Sequence, residues 1–440
     1  MLKITFMGAG STVFAKNVLG DVMCSPVLRE CEIALYDIDP KRLDESYIMV
    51  TALNRNINEN RAEIKKYLGV KERKDALRNA NFVVNAIQVG LYDPCTIIDF
   101  EVPKKYGLRQ TIADSNGIGG IFRALRTIPV LKDFTDDMQE VCHNAYFLNY
   151  TNPMAQLTGF LGRFTPIKSV GLCHSVQGCS RGLLNKLEIP FTEPIREKIA
   201  GINHMGWLLE IEDADGTDLY PEIRKRAIEV LESGVTDHND LVRFEYIRRF
   251  GHYCTESSEH NAEYNNLFIK SKYPELIERY NIPLDEYPRR CIHQIERWNS
   301  EKENYLNDKI SHERTGEYAS YIMEAITTDK PYKIGGNVIN NGIIENLPDE
   351  ACVEVACLVN KYGIQPCRQG KLPEQLAAMN RLMINTHLLT IEAAVTLKKD
   401  AIYQAALLDP HTSSELSIDE IISLCDDLIE AHGDYLPKYN

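Results

Sequence analysis

The chain has 440 residues, of which 25% are charged and 44% hydrophobic, and its formal net charge is −14. That charge argues against nucleic acid or an anionic membrane as a partner, and no stretch approaches the ~18 uncharged apolar residues of a membrane span. The length predicts two or three domains. The twelve cysteines lack paired short spacings, and the N-terminus has no signal-peptide pattern, which together indicate a cytoplasmic protein with reduced thiols.

The N-terminal residues predict a dinucleotide-binding turn. Leu2–Met7 is a short apolar strand, Gly8 and Gly10 follow it directly, and apolar residues at helical spacing come next. Glycines in such a turn let the backbone approach a pyrophosphate at a helix N-terminus, where the hydroxyl of Ser11 could also bind phosphate. Val13 stands where the fingerprint has its third glycine, so an ordinary tight turn is the alternative.

The second strand predicts which dinucleotide binds. Glu32–Tyr36 reads as this strand, and Asp37 lies at its end. A carboxylate there suits the ribose hydroxyls of NAD and repels the extra phosphate of NADP. Asp39 is the other candidate for this role. Lys41 and Arg42 lie nearby, so NADP stays an alternative to NAD.

Alternation of strands and helices continues and predicts a doubly wound parallel sheet, in which ligands bind beyond the carboxyl ends of the strands. Asn152 follows one of these strands closely, and Cys173 and His174 follow the next, so we expect them to converge on the dinucleotide turn. The predicted segments are the strands Glu63–Leu68, Asn81–Gln88, Tyr146–Tyr150 and Ile167–Leu172 and the helix Lys71–Arg78.

Residues 107–129 predict a glycine-rich loop that leads into a helix. Residues 116–120 read as too flexible for a packing element, and the N-terminus of the following helix would attract anions or polar ligands. A long surface loop is the alternative.

Past about residue 190 the pattern changes. We expect a Rossmann-like NAD-binding domain over residues 1–190 and a mixed, mostly helical α+β domain over residues 191–440 that caps the cleft, an architecture like that of lactate and malate dehydrogenases. The predicted elements are two strands of a different sheet, Ile199–Ile202 and Leu208–Ile211, and helices at Pro221–Leu231, Leu241–Phe250, Arg314–Ile326, Leu376–Leu397 and near Ile418–Ala431.

Two short segments carry metal-binding side chains: Cys173 lies in SVGLCHSVQG and His204 lies in AGINHMGW. A thiolate and an imidazole can hold a divalent metal of the zinc or manganese kind, and two protein ligands leave positions open for substrate. A buried cysteine near core histidines is the alternative. The acidic segment Cys254–Tyr264 reads equally as a solvated helix start.

Several longer motifs resemble those of glycoside hydrolase family 4, the NAD- and manganese-dependent glycosidases, over essentially the whole chain. The forms CHSVQG, TESSEHNAEY and LDEYPRRC look like the family's α-galactosidase branch. The other motifs that carry the resemblance are ITFMGAGS, LYDIDP, IADSNGIGGIFRALRTIP, NYTNPM, GINHMGW, NGIIENLP and VEVACLV.

The resemblance implies a redox route for glycoside cleavage, outside the usual two-carboxylate mechanism. NAD takes a hydride from carbon 3, a base removes the proton on carbon 2, the aglycone leaves, water adds and the hydride returns. Manganese, or another divalent metal, polarises the oxygens on carbons 2 and 3. The matching positions make Cys173 and His204 the metal ligands and Tyr264 the base.

The general acid is less clearly implied. His174 stands where the 6-phospho-α-glucosidase branch commonly has aspartate, and it could protonate the leaving oxygen and contact the sugar. Asp114 matches an acidic position of the glycine-rich motif, and Glu259 is a second acidic candidate. Asn152 matches the asparagine that contacts substrate and cofactor, and Arg290 is either a sugar contact or a surface arginine.

The resemblance therefore predicts an α-galactosidase for unphosphorylated substrates such as melibiose, forming a homodimer or homotetramer. Within the family, α-glucosidase, α-galacturonidase and 6-phospho-glycosidase activities stay open. A 2-hydroxy-acid dehydrogenase and a non-catalytic dinucleotide sensor are alternatives from other classes. The dehydrogenase would leave the Cys173–His204 pair and Tyr264 without a task, and the sensor would bind NAD without metal-dependent turnover.

Overall fold

A computed structural model describes residues 1–307 and 309–440. Its twelve strands form one mixed sheet in the order β3-β2-β1-β4-β5-β6-β10-β11-β7-β8-β9, with β12 paired to β11. The strands are β1 Leu2–Met7, β2 Cys31–Asp37, β3 Glu63–Leu68, β4 Phe82–Asn85, β5 Tyr146–Asn149, β6 Lys168–Gly171, β7 Arg196–Ile202, β8 Met205–Glu212, β9 Tyr253–Cys254, β10 Tyr332–Ile339, β11 Cys352–Asn360 and β12 Gly363–Pro366.

Helices cover both faces of the first six strands and make up most of the rest of the chain. Among the described residues, no helix is both long and apolar enough to cross a membrane. The helices are α1 Thr12–Cys24, α2 Pro40–Asn58, α3 Gly69–Leu77, α4 Ile97–Lys105, α5 Gly117–Val141, α6 Met154–Phe164, α7 Ser175–Lys186, α8 Tyr220–Glu232, α9 Leu241–Phe250, α10 Ser258–Glu263, α11 Glu275–Arg279, α12 Glu286–Leu306, α13 Tyr318–Thr328, α14 Glu374–Thr396, α15 Lys399–Leu408, α16 Pro410–Glu415 and α17 Ile418–His432, with a π-helical turn at Leu91–Thr96 and a 3₁₀ turn at Gly433–Tyr435.

The first six strands are parallel, which confirms the predicted Rossmann-like sheet. Their central members are almost wholly buried, as a sheet covered by helices on both faces requires. The pairing register sets Met7, Asn85, Asn149 and Gly171 side by side at the ends of four strands. The residues that follow these strands therefore emerge along one edge.

The second half of the sheet is antiparallel. Asn337 of β10 pairs with Gly171 of β6, β11 pairs with β10, and β7 joins β11. Strands β7 and β8 therefore continue the first sheet, and their assignment to a different sheet was wrong. The linking strands β10 and β11 lie more than a hundred residues further along the chain, where our predictions contained no strand.

The glycine-rich segment is a packed element, so the prediction of a flexible or surface loop was wrong. Residues 110–128 are all buried, and the helix α5 begins at Gly117. A Cβ atom on Gly119 would lie 2.6 Å from the carbonyl oxygen of Ala113, and one on Gly120 would lie 2.5 Å from the carbonyl carbon of Ser115. The glycines let the incoming chain fold back against its own helix.

Candidate functional site

The dinucleotide turn packs closely against the neighbouring strands. Gly8 has φ +86°, and a Cβ there would lie 2.8 Å from the carbonyl oxygen of Ala86. The amide of Gly10 donates to Asp37 Oδ2 at 2.6 Å. The hydroxyl of Ser11 is buried and has no hydrogen-bond partner among the described residues. These features fit a pyrophosphate at the start of α1.

The structure separates the roles of the two aspartates at the end of β2. Asp39 caps α2, because its Oδ1 accepts from the amides of Lys41 at 2.9 Å and Arg42 at 3.1 Å. Asp37 instead faces the glycine turn through its bond with Gly10. Of the two aspartates, Asp37 is therefore the one that faces the glycine turn.

Cys173 and His204 come together as predicted. Cys173 follows β6, and His204 lies in the turn between β7 and β8 with φ +62°. Ligand atoms of these two residues and of Glu256 lie within 4.8 Å of one another. A second group with the same spacing consists of Asp114, His204 and His260. The donor set of thiolate, imidazole and carboxylate suits a divalent transition metal. Glu256 and His260 were not among the ligand candidates predicted from the sequence.

The groups around His204 favour a cation. Burial lowers the pKa of His204, but the interactions with Cys173 and Glu256 outweigh burial and raise the pKa to about 10. A metal bound to the imidazole would supply positive charge in place of a ring proton.

Tyr264 lies against the same imidazole. Its hydroxyl is 2.9 Å from His204 Nδ1, which leaves only Nε2 of His204 for a metal. Burial, followed by the carboxylates of Asp114, Glu263 and Glu256, raises the pKa of Tyr264 well above its ordinary value. A phenol in this place becomes a base at neutral pH only when a cation lies nearby.

Asp114 is bound on both of its oxygens. Asn152 Nδ2 donates to Oδ2 at 3.0 Å and Ser115 Oγ donates to Oδ1 at 2.8 Å, while His260 Nε2 lies 3.7 Å from Oδ1. Burial would raise the pKa of Asp114, but the interaction with His260 and the nearby cations lower it below the usual range. The predicted residues Asp114 and Asn152 therefore meet directly, with Asp114 ionised.

Buried side chains hold the backbone that presents Asp114. Glu263 accepts from the amides of Thr111 and Ala113, both at 2.8 Å, and His387 lies 2.6 Å from Asn116 Oδ1. Sequence analysis missed both residues, because each acts on a segment far away in the chain. The TESSEHNAEY motif was the only signal for Glu263. Its interpretation as a solvated helix start was wrong, since residues 258 and 260–264 are buried.

His174 lies at the mouth of the site on the side of α1. Its Nε2 is 2.5 Å from Glu317 Oε2, and Tyr150 donates to the other oxygen of Glu317 at 2.6 Å. The hydrogen bond to Glu317 raises the pKa of His174. The rings of Phe14 and Tyr150 lie 6.5 and 6.2 Å from the imidazole. Its exposed side chain is therefore held by Glu317 beside the rings of Phe14 and Tyr150.

Glu259 and Arg290 pair with each other. Arg290 Nη2 donates to Glu259 Oε1 at 2.5 Å, and its Nε donates to Glu286 Oε1 at 2.9 Å. The side chain of Arg290 is 42% exposed. The two predicted residues thus lie beside the site without contacting Cys173, His204 or Tyr264 in the described part of the chain.

Comparisons with known proteins point to one family of enzymes along the chain. The sequence profile of the family 4 glycosyl hydrolases matches residues 3–189, and that of the family's C-terminal domain matches residues 199–412. The chain is 60% identical to an alpha-galactosidase of Bacillus subtilis (strain 168) over 100% of both chains. It is 30% identical to an alpha-galactosidase of Rhizobium meliloti (strain 1021) over 99% of this chain and 89% of that one.

A solved structure shares the fold. The 6-phospho-beta glucosidase from Thermotoga maritima, solved with manganese, NAD+ and glucose-6-phosphate, superimposes with a TM-score of 0.79 and 22% identity over 100% of both chains.

Proposed function

The chain belongs to family 4 of the glycosyl hydrolases, and on that premise we propose that it is an α-galactosidase for unphosphorylated α-galactosides of the melibiose type. The full-length likeness to a bacterial alpha-galactosidase supports the substrate. The convergence of the dinucleotide turn, the thiol–imidazole pair and Tyr264 on one edge of the sheet supports the chemistry.

The cofactors of this activity are NAD and a divalent metal, and manganese is the metal that we expect to be preferred. Gly8, Gly10, Ser11 and Asp37 would hold the dinucleotide, and Cys173 with His204 would hold the metal. When bound, NAD exchanges a hydride with carbon 3 of the sugar and the metal polarises the oxygens on carbons 2 and 3.

The chain's own side chains then move protons and orient the sugar. Tyr264 removes the proton on carbon 2, since its hydroxyl is held beside His204 at 2.9 Å. His174 protonates the leaving oxygen, with its ring fixed by Glu317. Asn152, bound to Asp114, orients the sugar hydroxyls towards the cofactor. Burial of Tyr264, Asp114 and His204 excludes water from the proton transfer.

The surface and the thiols support a proposal for the subunit contact and the compartment. Ile292 and Ile295 are 44% and 48% exposed on α12, a helix whose single buried residue is Cys291. These two exposed isoleucines, one helical turn apart, support a homodimer or homotetramer. All twelve cysteines are free thiols, which supports a cytoplasmic protein.

A comparison of p-nitrophenyl α-galactoside with the α-glucoside tests the substrate. With NAD, manganese and a thiol reductant present, we expect the galactoside to be hydrolysed at least about tenfold faster, because one misplaced hydroxyl leaves buried polar groups unpaired. Equal or faster hydrolysis of the glucoside or of a 6-phosphorylated glycoside would contradict the proposed specificity.

Asp37→Ala is expected to raise the Kd for NAD about tenfold, because hydrogen bonds from ribose hydroxyls to a carboxylate are lost. The ratio of NAD to NADP affinity should fall at the same time, since the negative charge that repels the extra phosphate is gone. Asp39→Asn is the matched control, because asparagine also caps helices. Titration of both cofactors into the metal-loaded protein measures this ratio, and an unchanged ratio in Asp37→Ala would refute the assignment.

Glu317→Gln is expected to slow melibiose hydrolysis about 10- to 100-fold, because His174 loses the carboxylate that orients its ring. Hydrolysis of p-nitrophenyl α-galactoside should change by less than about threefold, since nitrophenolate leaves without protonation. The ratio of kcat/KM for the two substrates is the measurement. Equal losses on both would show a purely structural role for Glu317.

A further inference from the structure

Glu256 occupies an unusual position beside the thiol–imidazole pair. It lies between β9 and α10 with φ +64°, a conformation that residues other than glycine adopt rarely. The guanidinium of Arg243 donates to the carbonyl oxygens of Cys254 and Glu256 and holds this backbone in place. The segment therefore fixes one carboxylate next to Cys173 and His204.

We propose that the Glu256 carboxylate is the third protein ligand of the divalent metal, together with Cys173 and His204. This inference rests on the metal requirement of the proposed function. A thiolate and a carboxylate together balance the charge of a divalent ion. The carboxylate oxygen also moves the donor set towards metals such as manganese, which a site of cysteine and histidine alone favours less.

Hydrogen bonding distinguishes this set from the alternative set of Asp114, His204 and His260. Both sets include His204, and its Nδ1 lies against Tyr264, so the two sets share one free ring nitrogen. Both oxygens of Asp114 already accept hydrogen bonds, from Ser115 and Asn152. In the described part of the chain, the carboxylate of Glu256 forms one ion pair, with His260 at 3.3 Å, and it also lies in the fields of His204 and Arg243. Glu256 thus has more lone pairs free for a metal than Asp114.

The position of Glu256 also keeps the metal accessible. Its side chain is 23% exposed and that of Cys173 is partly exposed, whereas His204 is buried. A metal held by these three residues is anchored from one side and open on the other. The open positions are available to two oxygens of the sugar.

Binding of Mn²⁺ to the full-length protein, without sugar or NAD, tests the assignment. Electron paramagnetic resonance measures free Mn²⁺ during a titration. We expect Glu256→Gln to weaken binding at least about tenfold, as loss of a ligand or its support does, and Asp114→Asn to change it by less than about threefold. Normal binding by Glu256→Gln, or an equal loss in Asp114→Asn, would overturn the proposal.

A second variant separates ligand loss from disturbed folding. Glu256→Asp keeps the charge but shortens the side chain by one methylene group, so Mn²⁺ binding should again weaken. The melting temperature should stay close to that of Asp114→Asn. Recovery of full affinity in Glu256→Asp would show that charge alone acts there and would overturn a ligand role. Because no sugar is present, a failure of the proposed galactosidase activity leaves this measurement unaffected.

Discussion

Cys173→Ser is expected to lower kcat/KM for p-nitrophenyl α-galactoside by about 1000-fold or more. A serine hydroxyl stays protonated at neutral pH and is a poor metal ligand, whereas a thiolate binds strongly. Loss of a metal that polarises substrate oxygens removes several kcal/mol of transition-state stabilisation. The rate should be measured with saturating manganese and NAD, alongside the affinity for Mn²⁺.

Cys367→Ser is the matched control, because Cys367 is an exposed thiol away from the site. It should retain full activity and metal affinity. If Cys173→Ser kept both as well, Cys173 would be an ordinary half-buried cysteine, and the interpretation of the whole edge as a metal site would be wrong.

Tyr264→Phe is expected to lower kcat about 100- to 10,000-fold, the range attributed to loss of a positioned general base. The ring itself remains, so the core around it should stay intact and binding of NAD and Mn²⁺ should persist. Loss of the hydroxyl should also stop the exchange of the carbon-2 proton with solvent deuterium. Nuclear magnetic resonance of recovered galactoside measures this exchange.

Tyr362→Phe is the matched control, because it removes the same hydroxyl group from a tyrosine that is 76% exposed. Proton exchange that continues in Tyr264→Phe while hydrolysis stops would assign the base to another residue. Loss of metal affinity in Tyr264→Phe would instead mean that the hydroxyl acts by holding His204.

The parallel half of the fold could be predicted, because local patterns determine it. Short apolar strands followed by glycine or polar residues predict where each strand ends, and the register then sets these ends side by side. Cys173, Asn152 and the glycine turn could be expected at one edge for this reason. The link between Gly171 and Asn337 could not, since it joins distant segments and leaves no local pattern.

The supporting residues of the site escaped prediction for the same reason. Glu317 lies 143 residues along the chain from His174, whose imidazole it binds. Glu263 lies about as far from the backbone amides that donate hydrogen bonds to it. The sequence around Glu317 and around Glu263 has no pattern that indicates which residue each one contacts. The glycine-rich segment was wrongly predicted to be a flexible loop. A glycine-rich sequence is equally compatible with close packing and with a flexible loop, so the composition alone does not distinguish them.

One measurement tests the central claim, that cleavage proceeds through oxidation and proton abstraction at the edge carrying Tyr264 and Cys173. Hydrolysis of p-nitrophenyl α-galactoside in D₂O, with NAD and manganese each omitted in turn, reports on both steps. We predict that either omission abolishes turnover, that NADH does not accumulate, and that the galactose released carries deuterium at carbon 2. Hydrolysis that persists without both cofactors and yields galactose free of deuterium would contradict the account.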